Sequence, residues 1–154
     1  MQKSKNAFTM IELVFVIVIL GILAAVAVPR LAATRTDAQI AKARTTIASI
    51  RPSIATERQS RLIKGKSNFI NSLSSSSTTL FDGNGTAGSE LLTYGITAAD
   101  TDGHWSTTNA AAPFVNYTYK VGGSDCDFTY SGTVAGRFTL DTGSQGTICD
   151  NLVN

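Results

Sequence analysis

Histidine is nearly missing from this chain: His104 is the only one in 154 residues. Any Ser–His or Cys–His arrangement would have to be built on it. Cysteine is almost as scarce. Cys126 and Cys149 are too few for a structural zinc site, and the gap between them is not that of a CxxC redox pair. Neither GxxxxGK[ST] nor HExxH occurs. No catalytic residue and no cofactor is expected from this composition. Proline is limited to Pro29, Pro52 and Pro113, which leaves long stretches open to helix.

Charge is missing over one long run. From Leu13 to Val28 every residue is apolar, and only Gly21 lacks a side chain. As a helix rising ~1.5 Å per residue, Phe8 to Val28 spans about 32 Å, enough for a hydrocarbon core of about 30 Å. Glu12 stands near the head of this run with apolar neighbours on both sides. An isolated carboxylate near lipid depth costs several kcal/mol unless it finds a partner, which marks Glu12 as a functional residue. Nothing cationic lies within a turn or two of it. Cleavage before Phe8 would supply a new α-amino group four residues away.

A secretory signal peptide would have a shorter apolar core of ~7–15 residues and a small-x-small site after it, which Ala25-Val26-Ala27 could imitate. A plain membrane anchor would explain the apolar run but not Glu12. A buried core helix fits the length poorly. Lys3-Ser4-Lys5-Asn6-Ala7, then Phe8-Thr9-Met10-Ile11-Glu12 and the apolar run, resembles the prepilin signal of type IV pilins and type II secretion pseudopilins.

The resemblance covers roughly the first 30 residues; over the rest it is architectural. It implies a prepilin peptidase that cuts between Ala7 and Phe8 (Ala7 standing where Gly is usual) and N-methylation of Phe8. It implies that Glu12 guides docking against a neighbour's Phe8 amine, with Gly21 and Pro29 as further assembly positions. The partners implied are a homopolymer with related minor pilins, the peptidase, an inner-membrane assembly platform, and membrane lipid before assembly. Direct nucleic-acid binding is not expected, because the basic rod would be covered in a packed filament. The precursor would cross the inner membrane once with its head in the periplasm; the assembled filament would be periplasmic or on the cell surface.

Charge elsewhere is unevenly placed. Residues 30–66 carry nine bases against Asp37 and Glu57, whereas residues 67–154 carry Lys120 and Arg137 against eight acids. A basic rod and an acidic head suit self-assembly; a solvated helix is the plain alternative. Cys126 and Cys149 read as one disulfide made in an oxidising compartment, closing a loop of ~24 residues and contributing roughly 3 kcal/mol.

Beyond Pro29, where a kink is expected, Ile40, Ile47, Ile50, Ile54 and Leu62 recur at helical spacing. Pro52 predicts a second bend, and Gly65 a stop. Ser72 to Thr79 and the glycines after it read as a surface connector, with a short helix around Ala87–Tyr94. The hydroxyl cluster could carry glycans or simply be bare loop. Val115, Tyr117, Tyr119 and Val121 alternate with polar residues as a half-buried strand, Gly122-Gly123 supplies a turn, and Cys126, Phe128 and Tyr130 share a face of the next strand. Arg137 to Asp141 reads as a third, with Phe138 and Leu140 on opposite faces. Asp100-Thr101-Asp102-Gly103 looks like part of a calcium loop but lacks the later Glu, so Asp100 and Asp102 are a weak metal candidate beside a solvated turn.

The expected fold is α+β: a long bent N-terminal helix, membrane-spanning in its first half, packed on a small antiparallel head with a C-terminal disulfide loop. The expected segments are a leader (1–7), the helix (8–66, divided into 8–28 and 29–66), a connector loop (67–112), and the sheet with its disulfide loop (113–154). The function expected is a non-enzymatic filament subunit. A type II secretion pseudopilin is the alternative, and a membrane-anchored binding domain that never polymerises is the remote one.

Overall fold

The computed structural model describes residues 8–86, 88–132, 135–144 and 146–153. One helix, α1, runs from Met10 to Ile63. The remaining elements are β1 (Thr79–Leu80), β2 (Ile96–Thr97), β3 (Trp105–Thr107), β4 (Asn116–Val121), β5 (Ser124–Ser131), β6 (Arg137–Leu140), a 3-10 turn (Thr142–Ser144) and α2 (Thr147–Asp150). The chain divides into two compact units, one up to Asp37 and one from Ala38 onward.

Both ends of α1 are written in the sequence. Thr9 caps the start: Glu12 donates its backbone N–H to Thr9 Oγ1 (3.4 Å), and Leu13 donates to the Thr9 carbonyl (3.2 Å). Thr9-x-x-Glu12 is the capping-box spacing. At the other end Gly65 takes φ +75°. Lys66 donates to the Arg61 carbonyl (2.8 Å) and Gly65 to that of Leu62 (3.0 Å), the pair of bonds that closes a Schellman end. Helix continues through Pro29 and Pro52.

In the second unit α1 buries Ala43, Ile47, Ile50, Ile54 and Glu57. The alternating steps of four and three keep these on one face. Leu62, expected at the end of that stripe, is half exposed. The stripe continues from Ile54 to Glu57 and Arg61 instead, and eight residues beyond Ile54 the helix has turned Leu62 aside. Glu57 is 5% exposed and has the Arg61 guanidinium at 3.8 Å.

The sheet is an antiparallel meander in the order β3-β4-β5-β6, with β1-β2 a separate two-stranded ribbon. The β4–β5 hairpin closes on Val121↔Ser124 through Gly122 and Gly123, at φ +56° and +77°. Both central residues of this two-residue turn need positive φ, hence two glycines. The register pairs Tyr119 with Trp105 and with Cys126, Tyr117 with Phe128, and Phe128 with Leu140. Phe138 and Leu140 therefore share the inner face, contrary to expectation, because residues two apart in a strand point the same way.

The inner face is aromatic. Phe81, Trp105, Tyr117, Tyr119, Phe128 and Phe138 are buried together, with ring centroids 4.5 Å apart for Phe81–Tyr117 and 5.2 Å for Phe128–Phe138. Phe81 occupies this cluster at φ +61°, a conformation that disfavours any side chain. The Trp105 indole N–H finds no acceptor among the described residues, an omission worth about 1–3 kcal/mol.

The stretch from 67 to 112, read as connector, is built into this core. Ile70, Leu73, Leu80, Phe81 and Trp105 are buried, and β3 is an edge strand of the main sheet. The Ser/Thr run is internal in part. Ser72 Oγ receives the Phe114 N–H (2.9 Å), and Ser74 Oγ receives the Phe81 N–H (3.0 Å) and lies 2.8 Å from the Tyr117 hydroxyl. Buried backbone donors need acceptors, and a small hydroxyl supplies one where a larger side chain would not fit. Residues 88–94 form turns and bends with no helix; Ala87 lies outside the described residues. Leu92 donates its N–H to the Phe81 carbonyl, a tertiary partner rather than a helical one.

Burial pushes the Tyr119 and Tyr130 hydroxyls up to about 12, with Asp102 adding to the effect at Tyr119, and burial raises Tyr117 as well. A phenol whose pKa is raised on folding contributes stability that is complete below its unfolded value of about 10 and is lost as pH rises beyond it. This contribution to the head's stability should therefore be complete up to pH 10 and fall progressively as pH rises from 10 through 12. Tyrosinate absorbance and near-UV circular dichroism followed together would check this. Tyrosines that all titrate near pH 10 with the fold intact would contradict it.

Candidate functional site

The first unit presents side chains that it does not bury. Every residue from Phe8 to Arg35 is exposed, including the whole run Leu13–Val28. A Cβ added at Gly21 would meet nothing within 4 Å, so no close approach within the chain requires glycine there. Pro29 brings no N–H to the helix, which leaves the Ala25 carbonyl without its usual donor. Gly21 and Pro29 are thus weak points in the apolar first part of the helix.

Glu12 is placed at the first turn of α1. Its Oε2 accepts from the Thr9 hydroxyl at 3.4 Å, while its own N–H donates to Thr9 Oγ1. The helix N-terminus carries partial positive charge, a further reason for a carboxylate to be tolerable there. Sequence reasoning sought a cationic partner for Glu12 and missed Thr9, although the T-x-x-E spacing signals it. Phe8 is exposed, and Ala7, the other side of the expected cut, lies outside the described residues.

Asp100 and Asp102 do not converge on a common point. Asp100 Oδ1 is 2.6 Å from Lys120 Nζ, whose pKa that bond raises, and Asp102 Oδ1 accepts from the Gly123 N–H (3.1 Å). The lysine ammonium meets the carboxylate where a cation would. Among the described residues no group of three or more His, Cys, Asp or Glu gathers as a metal site. His104 is exposed, with Nδ1 near Thr101 Oγ1 (3.1 Å) and the Asp102 carbonyl (3.2 Å), bonds that close its own turn. Cys126 and Cys149 are joined, with Cα atoms 5.4 Å apart.

The basic residues of α1 have a role that their spacing did not disclose. Lys42 donates to the Gly103 carbonyl (2.7 Å), Arg51 to that of Phe138 (3.3 Å), Arg61 to that of Asn68 (3.1 Å) and Lys64 to that of Gly88 (3.1 Å). Arg44 and Arg58 donate in the same way to the carbonyls of Asn151 and Ser67, and Arg58 also lies over the Phe69 ring. Six cations, five in the helix and Lys64 just past its end, thereby donate to backbone oxygens of the same chain, as charge-assisted bonds.

Comparison with known proteins places one segment. Residues 2–28 match the family model described as the prokaryotic N-terminal methylation motif, the prepilin signal of type IV pilins and pseudopilins. No curated protein matches the chain, and no solved structure does.

Proposed function

We propose that this chain is a structural subunit of a type IV pilus-like filament. It is made as a membrane-anchored precursor, cut before Phe8, and polymerised through its N-terminal helix. The observation that carries the reading is the methylation motif at residues 2–28, with Glu12 at the head of an uncovered apolar run. Its task is mechanical, and no catalytic residue is assigned. The disulfide near the C-terminus favours a pilin over a pseudopilin, since a bridged terminal loop is the pilin pattern. Uncovered apolar surface on this scale calls for lipid or for other helices around it. Membrane lipid would serve before assembly and neighbouring subunits afterwards.

Mass spectrometry of protein sheared from cells tests the processing step. The expected mature chain begins at Phe8 and carries one added methyl group at its amine. A terminus after Ala27 would restore the secretory-signal reading and remove the basis for polymerisation.

A further inference from the structure

Two tripeptides in this chain read Asn-x-Thr without proline: Asn84-Gly85-Thr86 and Asn116-Tyr117-Thr118. That pattern is the acceptor for a glycan on an asparagine amide, and it also arises by chance, so its surroundings decide. Asn116 lies in β4, paired with Thr129 of β5. Tyr117 is 1% exposed, and the Thr118 hydroxyl is held by Asp127 Oδ1 at 2.6 Å. A transferase would have to pull a central strand out of the sheet to use this site.

Asn84 is placed differently. It lies on the loop between β1 and β2, flanked by Gly83 and Gly85 at φ +99° and +75°. Gly85 and Thr86 are exposed and Asn84 partly so. The Asn84 Oδ1 accepts from the Thr86 N–H (3.1 Å), which folds the loop back on itself at this point. Nδ2, the atom that would react, has a long contact to Asn71 Oδ1 at 3.4 Å, easily given up. Asp82, two residues earlier, holds Ser75 through exposed bonds. Acid, amide and hydroxyl thus alternate along Asp82-Gly83-Asn84-Gly85-Thr86, with Gly83 buried at its base, Asp82 and Asn84 half-buried, and Gly85 and Thr86 standing out for a peptide-binding groove to grip.

We propose that Asn84 is an N-glycosylation site, modified by an oligosaccharide carried on a polyprenyl pyrophosphate. In the transfer, Nδ2 forms a bond to the anomeric carbon as the bond from that carbon to the pyrophosphate oxygen breaks. The pyrophosphate leaves with the electron pair, and the amide gives up one proton to a base of the transferase. The inference rests on the proposed export of the head. Donor and acceptor would then both be tethered to one membrane before assembly, which raises their effective concentration. The glycan would stand on the loop between the two short strands.

The test is glycopeptide mapping of the protein from the cells that make it, on the tryptic peptide that runs from Ser67 to Lys120. The expected result is sugar mass at Asn84, abolished by Asn84→Gln and by Thr86→Val, retained in Thr86→Ser, and unaffected by Asn116→Gln. The Thr86 pair separates loss of the acceptor hydroxyl from loss of folding. Bare Asn84 on molecules that begin at methylated Phe8 would overturn the site and leave the filament reading standing. Sugar found at Asn116 or on the Ser72–Thr79 hydroxyls instead would overturn it too. Molecules that all retain Met1 and carry no sugar would overturn both readings.

Discussion

Replacing Glu12 by Ala should leave the precursor in the membrane and the head folded, while sheared filament falls about tenfold or more. Removing a charge only makes the span more apolar, so insertion gains if anything. The head is a compact unit of its own starting at Ala38, and Glu12 belongs to the other unit. What is lost is the carboxylate that would meet the neighbour's amine in a medium of low dielectric. Even about 1.4 kcal/mol lost per docking event is a factor of ten in an equilibrium constant. The contact with Thr9 complicates this substitution, because Glu12 also completes the helix cap. Glu12→Gln separates the two roles, since Gln keeps the capping box but not the charge. Filament and membrane pools, compared by immunoblot for all three proteins, give the answer. Full filament yield from the Gln variant would reduce Glu12 to a capping residue and end its role in docking.

Removing the disulfide should have the largest effect on the head itself. Cys126 lies on the inner face of β5 and Cys149 in α2, the four-residue helix Thr147–Asp150. The bridge ties down a terminal segment that otherwise rests on Leu152 in the core and on the Arg44 bond to the Asn151 carbonyl. Chain entropy for a loop of this length, with a sequence separation of 23, gives a loss of about 2–4 kcal/mol. For a unit of this size that corresponds to a fall in Tm of roughly 8–16 °C. Cys126→Ala with Cys149→Ala is the cleaner pair, since both positions are buried and Ser would bring a hydroxyl into the core. Matching melting curves for the oxidised protein and the double variant would show that the bridge adds nothing. Alkylation of both thiols in folded wild-type protein would show that it is not there.

Much of this molecule was legible because periodicity is a property of whole elements. The Leu13–Val28 run, the Ile47–Ile50–Ile54 face and the alternation through β4 and β5 each repeat often enough to stand out. What escaped was short or local. β3 is three residues long, too few for alternation to register, so nothing local marks Trp105 as part of the aromatic core. Ser72 and Ser74 look like loop by composition, yet they are buried because a backbone N–H needed an acceptor there. The acidic pair Asp100 and Asp102 resembles a cation site in sequence, but Lys120, twenty positions further on, lies against the first of them. Such long-range pairings leave no trace in local pattern.

The six cation-to-carbonyl bonds made by α1 and by Lys64 just beyond it have a consequence for how this sequence can drift. A main-chain oxygen is present whichever residue occupies its position, so the acceptors at Ser67, Asn68, Gly88, Gly103, Phe138 and Asn151 survive replacement of their side chains. The donors do not: each is a particular long cationic side chain at a particular turn of the helix. Tolerance to substitution is therefore lopsided where the acceptor lies on a loop, as at Ser67 and Asn151, whose side chains can change while Arg58 and Arg44 must stay. A surface can be rewritten in this way without being detached from the rod that carries it.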